Sequence, residues 1–255
     1  MVTVPVLSIE QTDRVAGTIL EHCISRGIIG RRGERDGVDV MTASLWADFH
    51  MLRERLYATF EVPATTLTPL AARVLFGIGA LRQPQRIAVC GCYAGNLMAW
   101  VTGCGFGPFA RYEGARAVGL DVNAEAIGLA TANFARAGFA TSTVADVADA
   151  FDADRFAADG PWDLVLIDVD VPGARKSGYC RLLERWRPYL ADSALVVAHD
   201  ISHPVFAWDL RAYKEFVRAC GAVDTATLPV DECGFEVSRW PVRAQETGAE
   251  VNAIK

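Results

Sequence analysis

The sequence predicts a three-layer α/β/α fold, in which a doubly wound, mostly parallel seven-stranded sheet ends in an antiparallel hairpin strand and carries an N-terminal helical cap. Three observations predict it. Short apolar runs alternate with amphipathic segments from Arg86 onward, the residues before about 66 lack strand signals, and the turn DECG joins two β-rich runs near the C-terminus. Such alternation predicts right-handed crossovers between parallel strands.

Composition narrows the class of protein. The chain has 255 residues, of which 51% are hydrophobic and 22% are charged, so it can bury a core without disulfide or metal support. Its net charge of -6 disfavours nucleic acid as a partner. No apolar run reaches the roughly 18 residues of a membrane span, and the N-terminus lacks a signal-peptide pattern. We expect a cytoplasmic protein that does not contact membranes.

The seven cysteines support a reducing compartment, because they are odd in number and lie mostly in apolar stretches. Only Cys90 and Cys92 are close in sequence. On a strand these two side chains would point to opposite faces, so we do not expect them to form a metal or redox pair.

Three segments are expected along the chain: a helical cap over 1–66, a ligand-binding α/β domain over 67–243 and a disordered tail over 244–255. In the cap, Ser8 can begin a helix that runs to about Arg26, and a second helix fits Ala43 to Thr59. The segment GIIGRRGERDG between them is either a mobile lid or a solvated loop without a role.

Thr68 and Pro69 form a good N-cap and first turn for the helix PLAARVLFGIGAL. Five buried strands then follow, which are RIAVCG, ARAVGLD, TSTVAD, WDLVLIDVD and SALVVAHD. The predicted helices after the first strand are Ala94 to Thr102, Ala124 to Ala137, Val147 to Ala158, Gly178 to Leu190 and Trp208 to Ala219. The closing hairpin comprises DTATLPV and FEVSRWPV.

A glycine-containing turn follows the first strand, where CGCYAGN places Gly91 and Gly95 before a helix. The missing side chains let a ligand approach the backbone, and the helix N-terminus offers N–H groups to a carboxylate. The turn lacks the third glycine of G-x-G-x-x-G, so it fits a pyrophosphate poorly.

Carboxylates end the next two strands. Asp121 stands where it could accept hydrogen bonds from a ribose diol, and we favour this role over capping of the following helix, which Asn123 can already do. Asp146 could accept a hydrogen bond from an adenine amino group or cap a helix, and the sequence leaves both roles open.

Taken together, Gly91 to Gly95, Asp121, Asp146 and IDVD resemble successive ligand-binding motifs of class I, Rossmann-like S-adenosylmethionine-dependent methyltransferases. The resemblance covers about Thr68 to Val242. The segment from WDLVLIDVD to SALVVAHD is similar to small-molecule O-methyltransferases of the catechol and caffeoyl-CoA type. The resemblance implies S-adenosylmethionine as cofactor and methyl transfer to a hydroxyl or amine of a small metabolite in specialised metabolism. The cofactor contacts that we predict are Gly91, Tyr93, Gly95, Asp121, Val122, Asp146 and Asp168.

The sequence departs from that family at two positions. Val89 stands where the family usually has an acidic residue, two positions before the first glycine. Ile201 follows Asp200 where the metal-dependent members have Asn, which leaves the set of oxygen ligands incomplete.

The resemblance makes Asp168 and Asp200 candidate ligands of a divalent cation such as Mg²⁺. A further ligand could come from Asp170, His199 or His203. Without a metal, the candidate general bases for the acceptor's proton are His199, His203 and Lys176.

Other functions remain open from the sequence. An aminopropyl-transferring enzyme could use the same fold and hold a polyamine with the acidic D-x-D motif, and a non-catalytic cofactor-binding or scaffold protein could keep the fold. A nucleic-acid amino-methyltransferase is disfavoured, because DVDVPG replaces the Asn/Asp-Pro-Pro-aromatic motif that holds a flipped base. The expected partner is a small-molecule acceptor, and a homodimer is one open oligomeric state.

Overall fold

The computed structural model describes residues 7–30, 43–63 and 67–241. The α-helices of this part of the chain are α1 (Ile9–Ser25), α2 (Ala43–Thr59), α3 (Pro69–Arg82), α4 (Asn96–Phe106), α5 (Ala124–Ala137), α6 (Tyr179–Trp186) and α7 (Ala207–Ala219). The strands are β1 (Arg86–Cys90), β2 (Arg116–Asp121), β3 (Thr143–Val147), β4 (Trp162–Ile167), β5 (Leu190–His199), β6 (Asp224–Leu228) and β7 (Phe235–Arg239).

The seven strands form one sheet in the order β3-β2-β1-β4-β5-β7-β6. Strands β1 to β5 are parallel to one another, whereas β7 runs antiparallel to both β5 and β6. The predicted fold class is therefore confirmed. The strand order reverses direction between β1 and β4, and in open α/β sheets a ligand binds at the carboxyl ends of the strands beside such a switch point.

Two hydrophobic cores cover the two faces of the sheet, because successive strand side chains point to opposite faces. Val89 and Leu166 belong to the core that α1 to α5 cover, while Ala88 and Val165 belong to the core under α6 and α7. The two cysteines of the C-x-C sequence are divided in the same way between these cores, so they do not form a pair.

The two N-terminal helices pack into the same core as α3, α4 and α5, to which Leu20 and Phe49 contribute. Arg73 of α3 is 2% exposed and pairs with Asp13 of α1, which His50 of α2 also contacts at 2.9 Å. This charged cluster joins the three helices.

Parts of the predicted segmentation lie outside the described residues. These are most of the proposed lid, from residue 31 onward, residues 64–66 at the predicted boundary, and the tail from 244 to 255. None of the described helices combines the length and hydropathy that a membrane crossing requires.

The predicted helix from Val147 to Ala158 was wrong. Strand β3 extends to Val147, and a 3₁₀ helix over Ala153–Asp159 follows it. The carboxylate of Asp149 accepts a hydrogen bond from the backbone N–H of Phe151 at 2.9 Å, and such local bonds compete with helix formation. Strand β3 is also half-buried rather than buried, because it lies at the edge of the sheet.

Candidate functional site

A cavity of about 340 Å³ opens at the carboxyl ends of β1, β2 and β4, beside the switch point of the sheet. Its lining includes four of the residues that the sequence predicts for cofactor binding, namely Gly91, Asp121, Val122 and Asp168. The volume lies within the range of small-molecule sites.

Gly91 forms the floor of the turn after β1. Its φ of 87° lies in the left-handed region, and a Cβ there would overlap the carbonyl oxygen of Asp168. The N–H groups of Gly91 and Cys92 both donate to the carbonyl oxygen of Leu120, each at 2.9 Å. The turn is therefore pressed against β4 and bonded to β2, and only glycine fits.

Asp121 is held in one orientation by the backbone around it. Its Oδ2 accepts a hydrogen bond from the N–H of Tyr93 and its Oδ1 accepts one from the N–H of Asn123, each at 2.9 Å. The Asn123 side chain caps α5 by accepting from Glu125 and Ala126, so Asp121 is not needed as a cap. A carboxylate oxygen accepts more than one hydrogen bond, so Asp121 can also receive ligand hydroxyl groups.

Tyr93 and Gly95 do not line the cavity. Tyr93 has a φ of 46° and contributes its backbone N–H to Asp121, while its side chain is 40% exposed. Gly95 begins α4 with a φ of 88°, and a Cβ there would lie 3.0 Å from the Phe134 ring. Both residues therefore shape the turn.

The structure places Asp149 in the cavity and Asp146 outside it. Asp146 pairs with Leu120 of β2 in the sheet register, and its carboxylate lies 2.8 Å from the Arg155 guanidinium. Asp149 follows the end of β3, where its exposed side chain reaches the cavity lining. Sequence reasoning missed Asp149. The sequence ADVAD contains two acidic residues three positions apart, and the pattern does not indicate which of them lies beyond the end of the strand.

Asn133 is a further residue that sequence reasoning missed. It is fully buried, and its Nδ2 donates to the carbonyl oxygens of Glu61 and Ala94, each at 2.9 Å. Its Oδ1 accepts from the N–H of Glu61 at 2.9 Å. Asn133 thus fixes the segment after α2 against the turn between Gly91 and Gly95.

A second cluster adjoins the cavity, where the ends of β4 and β5 meet the start of α6. Lys176 Nζ lies 2.9 Å from Oδ1 of Asp168 and 2.8 Å from Oδ2 of Asp200. His199 Nδ1 lies 3.2 Å from Oδ2 of Asp168. Asp168 therefore belongs both to the cavity and to this cluster, which we call the lysine–carboxylate cluster (Asp168, Lys176, His199 and Asp200).

Burial and charge act against each other in this cluster. Burial alone would raise the pKa of the Asp168 carboxyl, but the hydrogen bond and charge of His199, together with the charge of Lys176, hold it well below its usual range. Burial would lower the pKa of Lys176, yet the charges of Asp168 and Asp200 raise it. Burial would lower the pKa of His199, but its hydrogen bond to Asp168 and the charges of the nearby carboxylates, Asp168 and Asp200 among them, together raise it.

The remaining candidate side chains are arranged differently. His203 lies in a surface turn, where its Nδ1 accepts from the N–H of Val205 at 3.3 Å. Asp170 lines the cavity next to Asp168. Among the described residues, His199, Asp200 and Cys233 form one group whose potential metal-binding atoms lie within 4.8 Å of one another, and Asp168 is not part of it.

No protein-family model matches the chain, and no curated protein matches it in sequence. Solved structures do match. Cofactor-bound Rv0187 from MTB is similar with a TM-score of 0.60 and 20% identity, over 82% of this chain and 94% of that chain.

Two further structures are similar to this chain. The O-methyltransferase from Bacillus cereus in complex with SAH has a TM-score of 0.56 and 16% identity, over 76% of this chain and 90% of its own. The O-methyltransferase TomG from Streptomyces achromogenes, which is involved in tomaymycin synthesis and was solved with SAM, has a TM-score of 0.57 and 17% identity, over 92% and 100% of the respective chains. At these identities the similarity establishes the fold, which is that of class I, Rossmann-like methyltransferases.

Proposed function

We propose that this protein binds S-adenosylmethionine and transfers its methyl group to a hydroxyl or amine of a small molecule. The observation that carries the proposal is the meeting of Gly91 and Asp121 in one cavity at the ends of β1 and β2. Similar structures solved with SAM or SAH support the same ligand. An acceptor from specialised metabolism rests on the sequence resemblance alone.

Three side chains would receive the nucleoside part of this cofactor. Asp121, already oriented by two backbone N–H groups, accepts hydrogen bonds from the ribose diol. Asp149 takes the role at the adenine amino group that the sequence suggested for Asp146, because Asp149 is the one that lines the cavity. Val122 is 72% exposed at the same edge and offers an apolar contact to the base.

The acceptor would lie towards the lysine–carboxylate cluster. Bound S-adenosylmethionine supplies a methyl group activated by the positive charge on sulfur. His199 is the base that we favour: in the neutral ring, Nδ1–H donates a hydrogen bond to Asp168, and the Nε2 lone pair can take the acceptor's proton. Because the pKa of His199 is raised, this neutral form is the one present above that pKa. Nε2 is buried and has no hydrogen-bond partner in the described part of the chain, so an acceptor reaches it only where the surrounding side chains move aside, whereas Lys176 is held between two carboxylates.

Calorimetric titration with S-adenosylhomocysteine and S-adenosylmethionine tests the proposal. We expect Asp121→Ala to weaken binding by about 1–3 kcal/mol through lost charge-assisted hydrogen bonds. Asp149→Asn should also weaken it, while Asp146→Asn, a matched change outside the cavity, should not. Absence of binding by the unaltered protein at millimolar ligand would refute the proposal, and an effect of Asp146→Asn alone would return the adenine role to Asp146.

No observation favours the alternative functions over methyl transfer. An aminopropyl transferase would use the D-x-D motif to hold a polyamine, but Asp168 of that motif is already paired with Lys176 and His199. Turnover of decarboxylated S-adenosylmethionine in place of the parent cofactor would select that enzyme. Cofactor binding without turnover on broad acceptor panels would select the scaffold.

A further inference from the structure

The amino group of Lys176 occupies the space between the two carboxylates that the resemblance makes candidate metal ligands. Asp168 follows β4 and Asp200 follows β5, so neighbouring strands bring their side chains together. Lys176 itself is 4% exposed, and its Nζ lies within 2.9 Å of one oxygen of each carboxylate. An ammonium group thus bridges the pair in the place of a metal ion.

Two residues at this cluster have a left-handed backbone conformation. Asp200 has a φ of 62° and Arg175, immediately before Lys176, has a φ of 47°. Non-glycine residues adopt this region rarely, and they do so where the surrounding structure determines the conformation. The ring centroids of Tyr179 and Phe206 each lie 5.5 Å from Lys176 Nζ, within the range of cation–π contacts.

The donor set does not fit Mg²⁺ in addition to this lysine. Mg²⁺ needs six oxygen ligands at about 2.0–2.1 Å, so an ion shared by both carboxylates would have to displace the ammonium group or lie against it. Ile201, at the position of the family's Asn ligand, is 1% exposed and offers no donor atom. The group of His199, Asp200 and Cys233 uses the same Asp200 that already holds Lys176.

We infer that Lys176 is a built-in replacement for a divalent cation, so that the acceptor half of this site operates without metal. Lys176 neutralises and spaces Asp168 and Asp200, and it thereby fixes the carboxylate that orients His199. It is a positioning residue rather than the general base. This inference rests on the proposed methyl transfer, because that proposal assigns the acceptor to this cluster. Its test does not require a known acceptor.

The test is the binding of Mn²⁺ to the metal-free protein. Binding is measured as the loss of the electron paramagnetic resonance signal of the free ion. The unaltered protein and Lys176→Arg, which keeps the positive charge, should bind no Mn²⁺ at millimolar concentration. Lys176→Ala leaves two facing carboxylates and room for a hydrated ion, so we expect it to bind one equivalent at Mn²⁺ concentrations at least about tenfold below the highest at which the unaltered protein still binds none. Adding Asp200→Asn to Lys176→Ala should abolish that binding, and Mg²⁺ should compete for it.

Several results would overturn the inference. One is saturable, one-to-one binding of Mn²⁺ by the unaltered protein that Asp200→Asn removes. Another is binding that Cys233→Ser removes, which would assign the metal to the group of His199, Asp200 and Cys233. A third is a folded Lys176→Ala protein that does not bind Mn²⁺. If Lys176→Ala does not fold, the titrations of the unaltered protein and Lys176→Arg decide the question.

The same preparations separate this inference from the proposed function. Calorimetry with S-adenosylhomocysteine reports on the cavity of Gly91 and Asp121, whereas Mn²⁺ binding reports on the lysine–carboxylate cluster. Failure to bind S-adenosylhomocysteine refutes the proposed function. The Mn²⁺ titrations still decide whether Lys176 takes the place of a metal ion.

Discussion

Replacement of Asn133 by Ala should destabilise the fold and loosen the glycine-containing turn together. The change removes the two donors to the carbonyl oxygens of Glu61 and Ala94 and the acceptor for the Glu61 N–H. Ala94 is 1% exposed, so its carbonyl would lose a partner that water does not readily replace, at a cost of about 1–3 kcal/mol. The Glu61 groups are closer to solvent and add less, so we expect a total loss of about 2–4 kcal/mol.

Urea denaturation followed by far-ultraviolet circular dichroism measures this loss, and S-adenosylhomocysteine titration measures the effect on the site. The matched control is Asn123→Ala, which removes an exposed helix cap and should cost about 1 kcal/mol. A loss at Asn133 no greater than that at Asn123 would refute the reasoning, because it would show that the buried carbonyl does not depend on the amide.

Two further predictions concern the helices and the cysteines. Arg73→Met leaves Asp13 without its buried partner and removes the guanidinium that lies 4.7 Å from the Phe49 ring centre. Thermal or urea unfolding should therefore show that the free energy of unfolding falls by about 3–5 kcal/mol. A change below ~1 kcal/mol would contradict the structure. Burial raises the pKa of Cys23 to about 11 and that of Cys92 to about 12, so these thiols stay protonated near pH 8 and should resist alkylation until the protein unfolds. Partly exposed Cys220 should be modified in the folded protein, and mass spectrometry of the labelled peptides distinguishes the sites.

The fold could be predicted because its signals are local and repeated. Each buried strand is a short apolar run followed by an amphipathic helix, and the hairpin turn DECG marks the antiparallel end of the sheet. The helix after β3 was the exception. There, a carboxylate that bonds to a nearby backbone N–H competes with helical bonding, and apolar periodicity does not report that competition.

The candidate site was predictable only where a residue's position along a strand determines its place. Asp121 ends β2 and Asp168 directly follows β4, so a correct strand assignment brings both to the cavity edge. The choice between Asp146 and Asp149 depends on where β3 stops, which a pattern locates within a few residues at best. The position of Lys176 depends on how the chain after β4 folds back, and no periodicity encodes that path.

One carboxylate connects the two halves of the molecule's chemistry. Asp168 borders the space assigned to the nucleoside and also holds the ammonium and imidazole groups on the acceptor side. If the proposed acceptor reorients this carboxylate on binding, it would change the affinity for the cofactor, and the cofactor would change the affinity for that acceptor by the same factor. For the proposed function, occupancy of either half would then be communicated to the other through a single shared side chain.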